Sequence, residues 1–451
     1  MRSCVATDLT QPNGDLAACA MRATAWVDPV EVASAFADEA YAVVLLSSDD
    51  GWSYVLRHPD RVEARGDPEA LMDPADVLPD GPPFQGGVLG LATYEFSAQL
   101  EPTSPQTRGE WPDLTLMRYP ALLAFHAGQG RGVAIGRGSN AAGAATMADL
   151  ALSWLDAPRR ACASGRLAEA VAVTTSDGDH ALAVAGTVKR IAAGDLFQAN
   201  LARPWVGHLA PGAHPYDLFR RLAVQSPAAY AAYLRLPDRA LVSNSPERFL
   251  SVRRQGATRW AQTDPVKGTR PRSIDPNHDR ALALDLVASA KDQAENLMIV
   301  DLMRNDLSRV CQPGSVSVPT LAELRSYANV HHLVSRVRGA LRVSVTAWDA
   351  FLAAFPPGSV TGAPKLAAMA VIAGHETPRG PYCGSLFWLG IDGSLEASVL
   401  IRTVALTQSA AGWAFEARAG GGIVADSDPD AEVEETSAKI SAIRNALMEG
   451  S

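Results

Sequence analysis

The segment Asp264–Arg272, DPVKGTRPR, places Lys267 between a β-favouring Pro-Val pair and a Gly-Thr turn, with Arg270 and Arg272 just beyond it. A lysine in an ordinary loop has a pKa near 10.4, so only about 0.1% of it is neutral at pH 7.5. Beside two guanidiniums or a metal ion, and away from bulk water, the amine loses its proton more readily and becomes a nucleophile. The segment is therefore either a solvated basic loop or the reactive centre of an enzyme, and the other motifs of the chain decide between them.

The composition is that of an ordinary globular protein. The chain has 451 residues, 47% of them hydrophobic and 20% charged, enough for more than one lobe. Its 40 basic and 49 acidic residues give a net charge of −9, which argues against nucleic acid or an anionic membrane as the main partner. Five cysteines without a Cys-x-x-Cys pair, no signal-peptide pattern and no long apolar run predict a cytoplasmic protein.

The order of predicted strands and helices favours an α+β fold, because no strict βαβ rhythm is present. We expect an N-terminal extension over residues 1–25, an N-terminal lobe over residues 26–160 and a second lobe over residues 165–451. The segment between the lobes is rich in alanine and glycine, as junctions often are. The longest helical pattern runs from Ala281 to Val310 and is interrupted only at the Arg-Asn-Asp tripeptide near its end.

Two pairs of acidic residues have helical spacing. Asp292 and Glu295 are three residues apart on one predicted helix, and Glu432 and Glu435 are three apart on another, so each pair lies on one helix face. Each pair alone is compatible with a solvated surface. Four carboxylates that converge would repel one another unless a cation lay among them, and a site made only of oxygen ligands favours Mg²⁺.

Ten blocks in one order along most of the chain resemble the chorismate-utilising enzymes. This resemblance implies two large antiparallel sheets packed face to face with helices outside, and an active site in the C-terminal lobe. The blocks are IAAGDLFQANLARP from Ile191, NSPERFL from Asn244, PVKGTRPR from Pro265, DQAENLMIVDLMRNDLSRV from Asp292, VHHLVSRVRG from Val330, FPPGSVTGAPK from Phe355, YCGSLFWLG from Tyr382, VLIRT from Val399, AGGGIV from Ala419 and EVEETSAKI from Glu432.

The resemblance also assigns roles to individual residues. It implies that Glu295 and Glu435 hold Mg²⁺ and that Asp292 and Glu432 bind it through water. The implied catalytic residues are the nucleophile Lys267, the general acid Glu247 for the C4 hydroxyl of chorismate, and His332 and Ser359 near the ring and the leaving group. The implied substrate-binding residues are Gly268, Thr269, the flanking aromatic Trp388, Arg402 for a carboxylate, Gly421 and Gly422 as an anion nest, and Lys439 for the ring carboxylate.

Two positions distinguish branches of this family. Members that use water resemble one another in having a lysine where this chain has Gln198, so the chain is expected to use ammonia. Members that form anthranilate typically have alanine where this chain has Lys267. A lysine there resembles the branch that replaces the C4 hydroxyl by an amino group, which gives 4-amino-4-deoxychorismate for 4-aminobenzoate and folate synthesis.

Two alternatives stay open at this point. One is the anthranilate-forming branch, and the other is a non-catalytic subunit that recruits a glutaminase. The sequence has no Gly-x-Cys-x-Gly elbow with downstream His and Glu, so a separate glutaminase subunit is expected to supply ammonia as the partner in a heterodimer.

One departure from the family concerns tryptophan. LLSS from Leu45 resembles its N-terminal tryptophan-binding signature, but Ser226 and Ala229 replace the usual asparagine and proline of the partner segment. The sequence therefore leaves open whether the N-terminal lobe binds tryptophan, in a structural or a regulatory role.

Overall fold

The computed structural model describes residues 17–47, 51–72, 75, 77–101, 107–327 and 330–450. Within these ranges the chain forms 22 strands and ten α-helices. The strands are β1 Ala18–Ala25, β2 Val43–Leu45, β3 Ser53–Leu56, β4 Arg61–Glu63, β5 Gly87–Ala92, β6 Leu114–Tyr119, β7 Ala121–His126, β8 Arg131–Gly138, β9 Ala172–Val173, β10 Gln198–His208, β11 Tyr230–Arg235, β12 Arg239–Ser245, β13 Arg248–Gln255, β14 Thr258–Asp264, β15 Val266–Pro271, β16 Ser317–Ser326, β17 Val330–Ala340, β18 Gly362–Ala363, β19 Ser385–Gly390, β20 Leu395–Val399, β21 Thr403–Ser409 and β22 Gly412–Ile423. The helices are α1 Pro29–Ser34, α2 Ser97–Leu100, α3 Ala141–Ser153, α4 Asp177–Ala192, α5 Pro215–Gln225, α6 Pro276–Ala288, α7 Ala290–Ser308, α8 Ala347–Ala354, α9 Lys365–His375 and α10 Pro429–Met448.

The strands form two antiparallel sheets. The first has the order β1-β8-β7-β3-β2-β11-β12-β21-β22-β10-β18, with β9 paired to β10. The second has the order β15-β17-β14-β13-β20-β19-β5-β6-β4, with β16 paired to β17. The α+β fold class predicted from the sequence is therefore confirmed.

Alternating side chains show how the sheets pack. On β5, Leu89 and Leu91 belong to a core that they share with Leu234 of the first sheet, so this core lies between the two sheets. Their neighbour Val88 belongs instead to a core with helices α7, α8 and α9. Tyr233 of the first sheet likewise faces a core with α3, α5 and α10. Because successive residues of a strand point to opposite faces, these three cores define two sheets packed face to face with helices outside.

The prediction that residues 1–25 form an N-terminal extension is wrong in part. All eight residues of β1 pair with β8, and β1 forms an edge of the first sheet. Backbone groups at a sheet edge gain hydrogen-bond partners from such a strand, even where its side chains give a weak strand pattern. Residues 1–16 lie outside the described ranges. Both sheets contain strands from either side of the predicted junction, so the predicted lobes share their sheets.

The predicted long helix is interrupted at a different place. It is two helices, α6 and α7, which meet at Ser289, whereas Arg304–Asp306 is helical. Ser289 has an extended backbone, and its Oγ accepts a hydrogen bond from Asp292 N at 3.2 Å. A serine N-cap of this kind starts a new helix. No helix among the described residues has the length and apolar character that a bilayer crossing requires.

Candidate active site

Lys267 lies on β15 and is partly buried. Its Nζ donates a hydrogen bond to the backbone oxygen of Ser359 at 3.3 Å. Burial lowers the pKa of Lys267, and the Glu295 carboxylate partly opposes this effect. Burial therefore shifts the amine toward its neutral, nucleophilic form.

The two arginines beyond Lys267 are engaged elsewhere. Arg270 Nε lies 2.6 Å from Asp285 Oδ2, and Arg272 Nε lies 2.8 Å from Asp279 Oδ1. Both acidic residues are on α6, so the arginines fasten this helix to β15. The predicted role of their guanidiniums in activating the lysine is therefore not supported, because each already has a carboxylate partner.

Glu247 lies in the turn between β12 and β13 and is 4% exposed. Its backbone N donates to Ser245 Oγ at 3.2 Å, which fixes the turn. Burial raises the pKa of Glu247 to about 7, although hydrogen bonding to the Ser359 side chain and the charge of Lys267 act to lower it. A carboxyl group with such a pKa can donate a proton at neutral pH.

We expect Glu247→Gln to stabilise the fold at high pH. The pKa of Glu247 is about 7 in the folded chain and ordinarily 4.5, so between these values the unfolded chain releases a proton that the folded chain keeps. Stability of the wild type therefore falls as pH rises through this window, by up to about 3 kcal/mol. Urea unfolding at about pH 4 and about pH 8 measures the effect: the variant should gain stability only at the higher pH. An equal gain at both pH values would contradict the shifted pKa.

His332 on β17 is held by β15. Its Nδ1 lies 3.0 Å from Thr269 Oγ1 and 3.2 Å from the Gly268 backbone oxygen. Burial lowers the pKa of His332 to about 4, with a smaller contribution from the charge of Arg402, so the ring is neutral at pH 7. Nε2 is buried and has no partner among the residues described here. A neutral ring that donates from Nδ1 to a carbonyl oxygen offers Nε2 as an acceptor.

Arg402 is a cation for which the described residues provide no counter-ion. Burial lowers its pKa, and none of the described carboxylates forms an ion pair with its guanidinium. Its φ of 50° is in the left-handed region, which is rare for a residue with a side chain and common at functional positions. A partly buried, unpaired guanidinium suits the carboxylate of a ligand.

Gly421 and Gly422 contribute space instead of an anion nest. Both pair with β10, and neither is among the described glycines with a left-handed backbone, which a nest of successive N–H groups requires. A Cβ on Gly421 would lie 2.5 Å from Glu432 Oε2, and one on Gly422 would lie 3.5 Å from Lys267 Nζ. The predicted nest is therefore wrong, and the glycines keep two groups of the site free of side chains.

The four predicted carboxylates lie in one neighbourhood with lysines among them. Lys291 Nζ lies 4.0 Å from both Glu295 Oε1 and Glu432 Oε1. Lys439 Nζ lies 2.5 Å from Glu435 Oε1 and donates to the Gly420 backbone oxygen at 2.9 Å. The fourth carboxylate, Asp292, is 3.4 Å from the guanidinium of Arg270. Within the described ranges, no three of these groups are arranged closely enough to hold one ion between them.

The chemistry of this group still fits a hard cation. Burial raises the pKa of both Glu295 and Glu432. Glu432 Oε1 accepts from Ser427 Oγ at 2.8 Å, while its buried Oε2 has no partner in the part of the chain that is described. Buried carboxylates whose nearest ammonium is as far as 4.0 Å away, with oxygen as the only donor atom, are the kind of ligand that Mg²⁺ prefers.

Most of the predicted site residues come together, but Trp388 does not. It lies in the core between the sheets, 5.1 Å from Phe84 by ring centroids, with the Arg253 guanidinium 4.7 Å from its ring. There it lines a cavity of about 490 Å³ together with residues 45–47 and 229–232. The predicted place of Trp388 beside the substrate is therefore wrong.

Two residues near the site were not predicted. Asn200 is two positions beyond Gln198 on β10 and so shares its face, a signal that strand periodicity could have provided. Lys291 directly precedes the first acidic pair, and its i,i+4 spacing to Glu295 is visible in the sequence.

The site combines a partly buried lysine, a protonatable carboxyl group, a group of carboxylates and a guanidinium that no described carboxylate pairs with. Together these groups suit an enzyme that acts on a small carboxylated substrate. The chain belongs to the family of chorismate binding enzymes, whose family model matches residues 22–445. In structure it is similar to anthranilate synthase component I from Streptococcus pneumoniae, with a TM-score of 0.72 and 24% identity over 98% of this chain and 95% of that one. The predicted family and fold are therefore confirmed.

Curated relatives include both of the predicted branches. Aminodeoxychorismate synthase component 1 from Salmonella typhimurium is 38% identical over 370 residues, 81% of this chain and 77% of that protein. Aminodeoxychorismate synthase from Streptomyces pristinaespiralis is 48% identical over 236 residues. The match covers 52% of this chain but only about a third of that relative's length. Anthranilate synthase component 1 from Geobacillus stearothermophilus is 34% identical over 396 residues, 82% of this chain and 76% of that protein. These relatives confirm the predicted kinship with the aminodeoxychorismate synthases.

Proposed function

We propose that this chain acts as aminodeoxychorismate synthase component 1, a transferase-type enzyme that converts chorismate and ammonia to 4-amino-4-deoxychorismate and water. The observation that carries the proposal is the contact of the Lys267 amine with Ser359, whose side chain in turn binds Glu247. This contact puts a nucleophile and a proton donor beside each other. The product would serve the synthesis of 4-aminobenzoate and folate.

In the proposed reaction, Lys267 Nζ adds to C2 of chorismate while the C4 hydroxyl departs. Glu247 donates its proton to that hydroxyl, which leaves as water, since hydroxide is a poor leaving group at neutral pH. Ammonia then adds at C4, the bond between Nζ and C2 breaks, and the amine is restored. The proton that the new ammonium group loses returns Glu247 to its acid form. The enolpyruvyl ether is not involved and is retained.

The remaining residues of the site bind and orient chorismate. Arg402 pairs with a carboxylate of chorismate, and Lys439 lies near the ring carboxylate. His332, neutral and fixed by Gly268 and Thr269, accepts a hydrogen bond at Nε2. We assign Mg²⁺ to Glu295 and Glu435, with Asp292 and Glu432 holding its waters. The bound ion would neutralise the ring carboxylate and withdraw electron density from the diene.

The proposal also includes a partner protein and a location in the cell. We assign the supply of ammonia to a separate glutaminase subunit that forms a heterodimer with this chain, which the name component 1 of its relatives supports. A cytoplasmic location is supported by the free state of Cys19, Cys162, Cys311 and Cys383.

We expect the purified chain to consume chorismate when Mg²⁺ and ammonium are present and to release 4-amino-4-deoxychorismate. Mass spectrometry of the product identifies it, and a fluorescence assay detects anthranilate in the same reaction. A fluorescent aromatic product without an added lyase would indicate the anthranilate branch instead. Unchanged chorismate at high ammonium would indicate a non-catalytic subunit.

A further inference from the structure

Lys365 joins three helices at the ends of the segment that carries Ser359. Its Nζ donates a hydrogen bond to Asp306 Oδ2 on α7 at 2.9 Å and another to the backbone oxygen of Ala354, the last residue of α8, at 2.7 Å. Lys365 itself is the first residue of α9. The lysine side chain is 16% exposed and that of Asp306 is 4% exposed. Hydrogen bonds between charged groups are strong, so this contact holds α7, α8 and α9 together.

The ion pair closes the segment that contains Ser359. Residues 355–364 run from the end of α8 to the start of α9, and Lys365 brings these two ends together. In the middle of the segment, Gly358 packs so tightly against α7 that Leu302 would occupy the place of a Cβ. Ser359 is the next residue and is 6% exposed. The position of Ser359 therefore depends on how the segment is held against α7.

The second half of the segment has anchors of its own. Arg379 Nη1 donates a hydrogen bond to the backbone oxygen of Val360 at 3.1 Å, and β18 pairs with β10. These contacts do not depend on the side chain of Lys365. Loss of the lysine should therefore shift Ser359 by a small distance while the segment as a whole stays in place.

A small shift of Ser359 would affect both of the proposed reactive groups. The backbone oxygen of Ser359 accepts from Lys267 Nζ at 3.3 Å, and its side chain forms a hydrogen bond with Glu247. A displacement of about 1 Å among the groups of an active site can lower the rate about a hundredfold. The ion pair at the ends of the segment thus has a direct route to the chemistry.

We propose that Lys365 is a positioning residue, which through Asp306 fixes Ser359 against the proposed nucleophile and general acid. This inference rests on the proposed function. The cations that we assign to the carboxylates of chorismate lie on other elements. Lys365 therefore acts on the chemical step and not on the binding of chorismate.

Two variants of the ion pair test this role. Lys365→Met leaves the buried Asp306 carboxylate without its cation, which is strongly destabilising, whereas Lys365→Met/Asp306→Asn removes the pair without leaving a charge. Both variants should lower kcat at least about tenfold while the KM for chorismate stays within about twofold. A purely structural role predicts instead that kcat recovers in the double variant together with the melting temperature. Either variant decides if the other does not fold.

The pH dependence of kcat gives a readout that a loss of stability would not move. Burial raises the pKa of Glu247 to about 7, while the hydrogen bond with Ser359 and the charges of Lys267 and Lys439 act to lower it. The proposed reaction needs a protonated Glu247, so kcat should fall as pH rises through this pKa. When Ser359 moves away, the carboxylate is less stabilised and its pKa rises. The midpoint of the fall should therefore move to higher pH in both variants.

Ser359→Ala tests whether Lys365 acts through Ser359. This variant removes the hydroxyl directly and should move the midpoint in the same direction. Adding Lys365→Met/Asp306→Asn to Ser359→Ala should then cause no further movement, because the effects of residues that act through one another do not add.

Arg118→Met/Asp60→Asn is the matched control. Arg118 on β6 likewise donates both to a carboxylate, with Nη2 2.6 Å from Asp60 Oδ2, and to a backbone oxygen, that of Leu71 at 3.1 Å. This pair lies at the other end of the second sheet from β15. The control should lower the melting temperature and leave kcat and the midpoint unchanged.

The outcomes separate this inference from the proposed function. Wild-type kcat in a folded variant of the Lys365 pair, or a lowered kcat with an unmoved midpoint, would overturn the positioning role while amination by wild type stands. A parallel rise in the KM for chorismate would overturn it as well. No amination by wild type would overturn the proposed function and this inference together.

Discussion

Lys267→Ala should reduce amination of chorismate at C4 by at least about a thousandfold. The variant removes the amine that carries the substrate through the proposed covalent intermediate. Ammonia would then have to displace the hydroxyl directly, without the activated C2 adduct. Product formation at saturating ammonium, followed by mass spectrometry, measures the loss.

Binding of chorismate to the variant is the control for this prediction. Arg402 and the carboxylates that we assign to Mg²⁺ remain in the variant, so calorimetry should show that chorismate still binds when Mg²⁺ is present. Wild type incubated with chorismate and Mg²⁺ should gain, on the peptide that contains Lys267, the mass of chorismate less one water. Lys189→Ala, on the exposed side of α4, should have normal turnover. Turnover of the Lys267 variant near the wild-type value would exclude a nucleophilic lysine.

Local periodicity predicted how the acidic residues of the candidate site are arranged on their helices. Asp292 and Glu295 share one face of α7, and Glu432 and Glu435 share one face of α10, because a helical repeat fixes the direction of side chains within a few residues. The convergence of the two pairs depends on how distant elements pack. The resemblance to a known family predicted that convergence, and the folded structure places Lys291 between the pairs.

Strand registers were harder to predict. Thr269 is opposite His332 in the ladder between β15 and β17, a pairing of residues far apart in sequence that no local pattern reports. Trp388 was misplaced because every residue of β19 is buried, so hydrophobic alternation cannot show which face each side chain takes. In the structure, Phe387 joins the core next to the helices, and Trp388 joins the core between the sheets.

The second large effect is expected when one of the carboxylates that we assign to Mg²⁺ is replaced. Glu435→Gln should raise the Mg²⁺ concentration needed for half-maximal activity at least about tenfold, because an amide is a weaker and uncharged ligand for a hard cation. Glu295→Gln should have an effect of similar size. Both variants also remove a negative charge from a group of lysines, so activity alone would not separate metal binding from a general electrostatic change.

Direct metal binding resolves this ambiguity. Mn²⁺ is a spectroscopic substitute for Mg²⁺, and its binding to the wild type and the variants can be followed by electron paramagnetic resonance without any turnover. Glu434→Gln is the matched control, since it removes the same charge one residue earlier on α10 from an exposed position outside the predicted pair. If Glu435 is a ligand, its variant should lose Mn²⁺ affinity and the Glu434 variant should not. Equal affinity in both variants would mean that the carboxylates only balance Lys291 and Lys439, and the cation would then have to bind elsewhere.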